Sequence, residues 1–389
     1  MNAQISFLDG TYTLIHIPLN LYSTLLQPIL RVLLPQSQSV SGPRDSPEFE
    51  LQGLTSDGQH GFLNISVTPI ECSLVCHSSW AKNVFEPVLQ TLSREAAKTV
   101  SISKDSYMIL SVISAGLDAA GRVMELTSPL ALAGIPLFFI TTYYSDFILV
   151  PTKERTNVTQ SLLAKGFELS DNGFVNPSAY GHKRGPSRGS STSPPNTPPP
   201  SNVAELQTRT FSLLKKRDVA PYIEEGLELV HCSGREMSQL SQFNHRPAMS
   251  RQATNNGRRP SWADNVDTKL YTCIISALVS QPRFISITLA QDDPPSLLLD
   301  KTLLDVFGDS LVGDTEGCLI PIFLDLDNLP FESTGIVCGV AGRLVQDMQM
   351  AASFELSYLS TARAGAVILS EEQSVRALGI LKPLLSKDA

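Results

Sequence analysis

The 389-residue sequence has little charge, few cysteines and no catalytic signature, and each deficit excludes something. Charged residues make up only 17% and hydrophobic ones 42%, enough apolar surface for folded cores and too much for disorder throughout. A net charge of -8 gives no overall basic field of the kind nucleic-acid binding needs. The six cysteines, at 72, 76, 232, 273, 318 and 338, are too sparse for a disulfide framework and point to a reducing compartment.

Long unbroken apolar runs are missing as well. Residues 11–30 carry no charged side chain, but Pro18, Asn20 and Pro28 interrupt them, and Asp9 stands where a signal peptide would be basic. They read as a strand over 11–17 and a helix over 19–34, with Leu21, Leu25, Leu26, Ile29 and Leu33 on one face. Residues 130–150 are divided by Gly134, Pro136 and Ser145-Asp146 and read as a strand pair, so a soluble, cytoplasmic protein is expected. GxSxG, P-loop and kinase signatures are absent, and the six histidines form no HExxH spacing. Cys72, Cys76 and His77 fall short of the four ligands zinc takes, and buried thiols are the simpler reading. Asp292-Asp293 and Asp325-x-Asp327 lack the positioned partner that acid–base catalysis requires. No enzyme activity, metal or cofactor is expected.

What is present is a basic stretch inside an acidic chain. Residues 183–262 hold twelve Lys and Arg against six Asp and Glu, leaving -14 on the remainder. Their Pro, Ser and Arg content cannot offset chain entropy, so 179–226 is expected to be a disordered linker and 235–262 a disordered insertion. The strand-like GLELVHCS at 226–233 stands between them. Ser193 and Thr197, each before a proline, and Ser261 after Arg258-Arg259-Pro260 are candidate phosphorylation sites, where phosphate would reverse local positive charge.

A repeated plan runs through the rest. Residues 140–151, ITTYYSDFILVP, and 359–370, LSTARAGAVILS, share an apolar residue, Ser or Thr, Thr, a short turn and an apolar strand. Each precedes a helix and follows a strand–glycine–helix segment, and the same order can be traced around 11–92 and 227–307. The expected fold class is therefore α+β, with four ferredoxin-like βαββαβ units over 1–98, 99–178, 227–310 and 311–386. Gly335, Gly339 and Gly342 follow GxxxGxxG rather than the dinucleotide GxGxxG. They either let helix N-terminal N–H groups meet a carboxylate or allow close helix–sheet packing.

The stretches TYYSDFILV (142–150), NGFV (172–175) and LPFESTGIV (329–337) resemble the CASTOR family of cytosolic arginine sensors. The resemblance follows the same order over most of residues 5–380 outside the insertion. It implies four tandem ACT domains and a non-enzymatic amino-acid sensor of the TORC1 pathway that binds the GATOR2 complex. It further implies a homodimer formed through the first and third units, with a free amino acid held between the second and fourth. Carried over residue by residue, the ligand contacts fall on Pro136 and Leu137, on Ser333, Thr334, Gly335, Ile336 and Val337, and on Thr361, Ala362 and Gly365.

This sequence departs from the family where a cationic ligand would be gripped. Gly365 and Ser333 replace acidic residues, and Ala362 and Ala364 replace aromatic ones. Each lost charge-assisted hydrogen bond forfeits ~1.5–3 kcal/mol, or about 10- to 100-fold in affinity. The expected ligand is therefore a neutral or apolar amino acid rather than arginine. Asp146 takes the position equivalent to Gly365 in the second unit, as a remaining acidic group or a turn cap. Two other readings stay open: a ligand-free interaction scaffold, and a detached regulatory module of an aspartate-kinase-like enzyme.

Overall fold

The computed structural model describes residues 3–34, 61–113, 119–170, 199–235, 267–291, 293–330, 333–349 and 355–386. Ser193, Thr197 and Ser261, residues 183–198 and 236–262 of the basic stretch, and residues 172–175 lie outside them. In the first half the strands are β1 (Gln4–Phe7), β2 (Tyr12–Ile17), β3 (Phe62–Val67), β4 (Cys72–His77), β5 (Ser101–Ile102), β6 (Tyr107–Ile113), β7 (Phe138–Thr141), β8 (Asp146–Pro151) and β9 (Glu168–Ser170). In the second half they are β10 (Pro221–Ile223), β11 (Leu229–Ser233), β12 (Ile285–Ala290), β13 (Ser296–Asp300), β14 (Leu319–Asp325), β15 (Ser357–Ser360) and β16 (Ala364–Ser370). The longer helices are α1 (Tyr22–Leu33), α2 (Arg122–Leu132), α3 (Arg155–Ala164), α4 (Val203–Lys216), α5 (Thr268–Val279), α6 (Ile336–Met348) and α7 (Glu371–Leu385).

The strand pairing overturns the expected tandem ferredoxin-like units. Twelve strands close into one antiparallel barrel in the order β2-β4-β3-β12-β13-β11-β14-β16-β15-β7-β8-β6, with β6 returning to β2 through Tyr107 and Tyr12. No group of strands keeps a sheet of its own, because strands expected at unit edges pair across the halves. β3 runs against β12 over its whole length, from Phe62↔Ala290 to Val67↔Ile285, and β15 meets β7 at Leu359↔Ile140. An edge strand presents unpaired N–H and C=O groups, and closure removes that liability. A buried polar ladder marks the β3–β12 seam: Asn64 Nδ2 donates to Ser286 Oγ and Thr288 Oγ1, and Ser66 Oγ lies 2.8 Å from Ser286 Oγ.

The barrel also explains why its strands read as near-continuous apolar runs. Ile109, Ile140, Phe147, Leu149, Phe323, Leu359 and Ile368 belong to one interior cluster, whereas alternate residues Leu110, Phe139, Ile148, Val150, Leu324, Tyr358 and Val367 pack outward. Both faces are buried, so alternation with polar residues is lost. Helices α2, α4, α6 and α7 contribute to the outer cluster over β6, β8, β14 and β16, and α1 and α5 to the one over β2, β3, β4, β12 and β13.

Helix α4 lies where the composition suggested a disordered linker. Asn202 caps it by accepting the Glu205 N–H at 2.9 Å, and Glu205 reaches back to the Ser201 N–H at 2.8 Å, a reciprocal cap. Leu206, Thr210, Phe211 and Leu214 form its buried stripe. It packs on α6 at Gly339, where an added Cβ would stand 2.9 Å from the Thr210 side chain.

Candidate functional site

A cavity of about 160 Å³ opens where α6 begins, beside the β15–β16 hairpin. That size suits a molecule of few heavy atoms rather than a drug-sized ligand. The second half supplies most of its wall, from the loop at 326–330, the α6 N-terminus and the hairpin, while Ala131, Leu137 and Phe138 come from the first half.

Of the residues singled out in the sequence, Leu137, Ser333, Gly335, Ile336, Val337, Thr361 and Ala362 line this cavity. Pro136, Thr334 and Gly365 do not border it. Sequence reasoning missed Tyr358, Ser360, Arg363, Asp327 and Cys338, which also form the wall. The signal for Tyr358 and Ser360 is the alternation along β15, which places them on one face; Arg363 and Asp327 form an ion pair that no sequence spacing announces.

Gly335 shapes the α6 end of the wall. Its φ of 81° is left-handed, and a Cβ there would fall 2.6 Å from Leu206 Cδ1 of α4. Thr210 Oγ1 donates to the Gly335 carbonyl at 3.2 Å, so α4 holds the loop that starts α6. Among the described residues no side chain caps α6, and the first turn of any helix has N–H groups without intrahelical partners. These donors, with the helix dipole, favour a carboxylate in the cavity. Gly339 serves close helix packing, and Gly335 both packs on α4 and lines the cavity.

The hairpin side is fixed from across the barrel. Glu71, fully buried before β4, accepts from Thr361 Oγ1 at 2.6 Å and from the Arg363 N–H at 2.5 Å. Its other oxygen lies 2.5 Å from His16 Nδ1. Ser73 Oγ accepts the Ala362 N–H at 3.0 Å, so three consecutive wall residues are held by β4 and the turn before it.

At the equivalent β7–β8 hairpin the chemistry differs. Asp146 is buried beside Arg122, whose Nε lies 2.7 Å from Oδ2 without aiming its N–H at that oxygen. Burial raises the Asp146 carboxyl to about 6, against the opposing pull of the Arg122 guanidinium. The hairpin tip crosses to the second half, where the Tyr143 N–H donates to Ser296 Oγ at 2.9 Å and its ring meets His231 edge-on. Burial, and then Arg122, lowers His231 to about 4.

Elsewhere, Cys72 and Cys76 are buried thiols of β4, and burial pushes Cys76 up to about 12. Among the described residues no group of three or more His, Cys, Asp or Glu side chains is placed to hold a metal ion, and no helix is long and apolar enough to cross a membrane.

No curated protein matches the sequence significantly. Similar solved structures include a protein from Agobacterium tumefaciens at 18% identity, covering 44% of this chain and 93% of that one with a TM-score of 0.27. Aspartate kinase from Synechocystis is 8% identical, with 99% of this chain and 56% of that one covered and a TM-score of 0.32. The ligand-free regulatory subunit of aspartate kinase from Thermus thermophilus is 11% identical, covering 40% and 93% with a TM-score of 0.25. Residues 102–164, from the end of β5 through α3 and so including the first-half wall of the cavity, match the ACT domain.

Proposed function

We propose that this chain is a non-enzymatic, amino-acid-responsive regulatory protein that holds a free amino acid in the cavity at the start of α6. The N-terminus of α6 behind the left-handed Gly335, uncapped among the described residues and in the wall of an amino-acid-sized cavity, carries this reading. It offers a place for the α-carboxylate, while Asp327 and the Thr361 hydroxyl are candidate partners for the ammonium group. Asp327 is the one acidic side chain among the described lining residues, so no second carboxylate is left for an arginine side chain, which favours a neutral ligand.

Occupancy is read out through the hairpin. Thr361, Ala362 and Arg363 line the cavity and are tied to Glu71 and Ser73, so a ligand that shifts the hairpin acts on the opposite wall of the barrel. A ligand that binds one arrangement better than another shifts the population and the surface offered to a partner. The finer reading is a cytoplasmic sensor of the CASTOR kind, a homodimer acting on the TORC1 pathway through a GATOR2-like complex. The sequence likeness at 142–150, 172–175 and 329–337 supports it. The alternative, a regulatory module of amino-acid biosynthesis, shares the ACT-domain match and separates from it by which proteins co-purify: TORC1 regulators or a biosynthetic kinase.

The direct test is thermal unfolding of the full chain against each of the twenty amino acids. A true ligand at 100 times its Kd adds about 2.7 kcal/mol. The expected result is stabilisation by one or a few neutral amino acids; no stabilisation by any of them leaves the scaffold reading.

A further inference from the structure

Two charged side chains stand among the described residues of the cavity wall, and they neutralise each other. Asp327 comes from the loop after β14 and Arg363 from the turn of the β15–β16 hairpin, and Arg363 Nη1 is ion-paired with Asp327 Oδ1. Their side chains are 51% and 32% exposed, whereas Ser360, Thr361 and Ala364 beside them are buried, so the pair stands on the solvent side of the wall.

Main-chain bonds hold the two segments in place independently of the side chains. The Leu326 N–H donates to the Arg363 carbonyl at 2.8 Å, the Arg363 N–H to Glu71 at 2.5 Å, and the Asp327 N–H to Asp325 Oδ1 at 3.0 Å. The side-chain pair can therefore open without loosening the wall. Exposed ion pairs are weak, so parting this one costs a competing group about fivefold in affinity at most. If the start of α6 takes a carboxylate, the ammonium group on the same α-carbon has Asp327 as its one acidic partner among the described lining residues. Arg363 already holds that partner. A carboxylic acid without an ammonium group offers Asp327 nothing and leaves the pair closed.

We infer that Arg363 is a built-in competitor for the ammonium site on Asp327, and that the cavity selects zwitterionic α-amino acids over carboxylic acids lacking the ammonium group. Binding exchanges the Arg363–Asp327 pair for an ammonium–Asp327 pair, and the released guanidinium gives the occupied chain an exposed cation that the empty chain keeps neutralised. The inference rests on the amino-acid-binding reading and deepens it. The test is calorimetric titration of the full chain, Arg363→Gln and Asp327→Asn with each of the twenty amino acids. Each one that binds is compared with the acid lacking its α-ammonium group, such as propanoate beside alanine or 3-methylbutanoate beside valine. The wild type is expected to prefer the amino acid by about tenfold or more. Arg363→Gln tightens the amino acid about three- to fivefold and leaves the carboxylic acid within about twofold. In Asp327→Asn the preference for the amino acid falls by about fivefold or more.

Unchanged or weaker amino-acid binding by Arg363→Gln shows that Arg363 does not compete. Equal binding of the carboxylic acid by the wild type, or a preference that survives Asp327→Asn, shows that Asp327 does not meet the ammonium group. Each of these results overturns the inference and leaves amino-acid binding standing. Both variants alter partly exposed side chains, so their ligand-free unfolding midpoints should stay within about 5 °C of the wild type. A larger fall overturns the inference too, because the pair then serves the fold. Binding of no amino acid at all overturns both readings.

Discussion

Glu71→Ala is expected to lower the unfolding free energy by about 3–5 kcal/mol, measured by chemical denaturation. The carboxylate is fully buried and serves Thr361, Arg363 and His16, which come from opposite sides of the barrel. Truncation to Ala removes the acceptor these groups share. Glu71→Gln separates the contributions. Its carbonyl can still accept from Thr361 and the Arg363 N–H, and only the His16 contact changes, so the loss falls to about 1–2 kcal/mol. If the hairpin transmits ligand binding, Glu71→Ala also weakens ligand-induced stabilisation. A loss below about 1 kcal/mol for Glu71→Ala, the level of an ordinary single hydrogen bond, would show that this tie does not hold the hairpin.

The second large effect is a pair of opposing pH dependences that cancel in the wild type. Asp146 is raised to about 6 from an unfolded value near 4, so between those values the folded state holds more protons. Its contribution to stability falls as pH rises through that window, and the penalty of about 3 kcal/mol is complete above pH 6. His231 is lowered to about 4 from near 6.5, so there the unfolded state holds more protons. Its contribution is intact above pH 6.5 and declines by about 3 kcal/mol as pH falls to 4. Arg122 pushes both groups down and couples the two. Asp146→Asn unmasks His231, and its stability drops relative to wild type as pH falls from 6.5 to 4. His231→Gln unmasks Asp146 and gains over the same interval. Denaturation series at several pH values read the two differences; variants that both parallel the wild type would refute burial as the cause of these shifts.

Local order in the chain was legible because it rests on short-range chemistry. The stretch from Thr142 to Val150 forms the expected turn and strand, with Thr142 Oγ1 donating to the Ser145 carbonyl and accepting the Ser145 N–H. The same ties join Thr361 and Ala364, which is why the two segments looked alike. Closure of the barrel was not legible, since FLNISV and ISITLA read as buried strands whatever their neighbours. Only their register brings Asn64 and Ser66 onto Ser286 and Thr288. Helix α4 was obscured by averaging over a Pro- and Arg-rich window, although Asn202-x-x-Glu205 and the spacing of Leu206, Thr210 and Leu214 are helix signals. Tyr358 escaped notice because the link between an absent side chain at Gly365 and a hydroxyl on the next strand exists only in the folded register.

The most direct measurement of amino-acid binding at the start of α6 is amide hydrogen exchange of the full chain, with and without the amino acid that stabilises it most. Local opening free energies report where a ligand adds protection. Protection should rise at 335–338 and 360–364, and more weakly at 71–73 through the Glu71 and Ser73 ties. Protection confined to other parts of the barrel, or unchanged everywhere at saturating ligand, would contradict the assignment of this cavity.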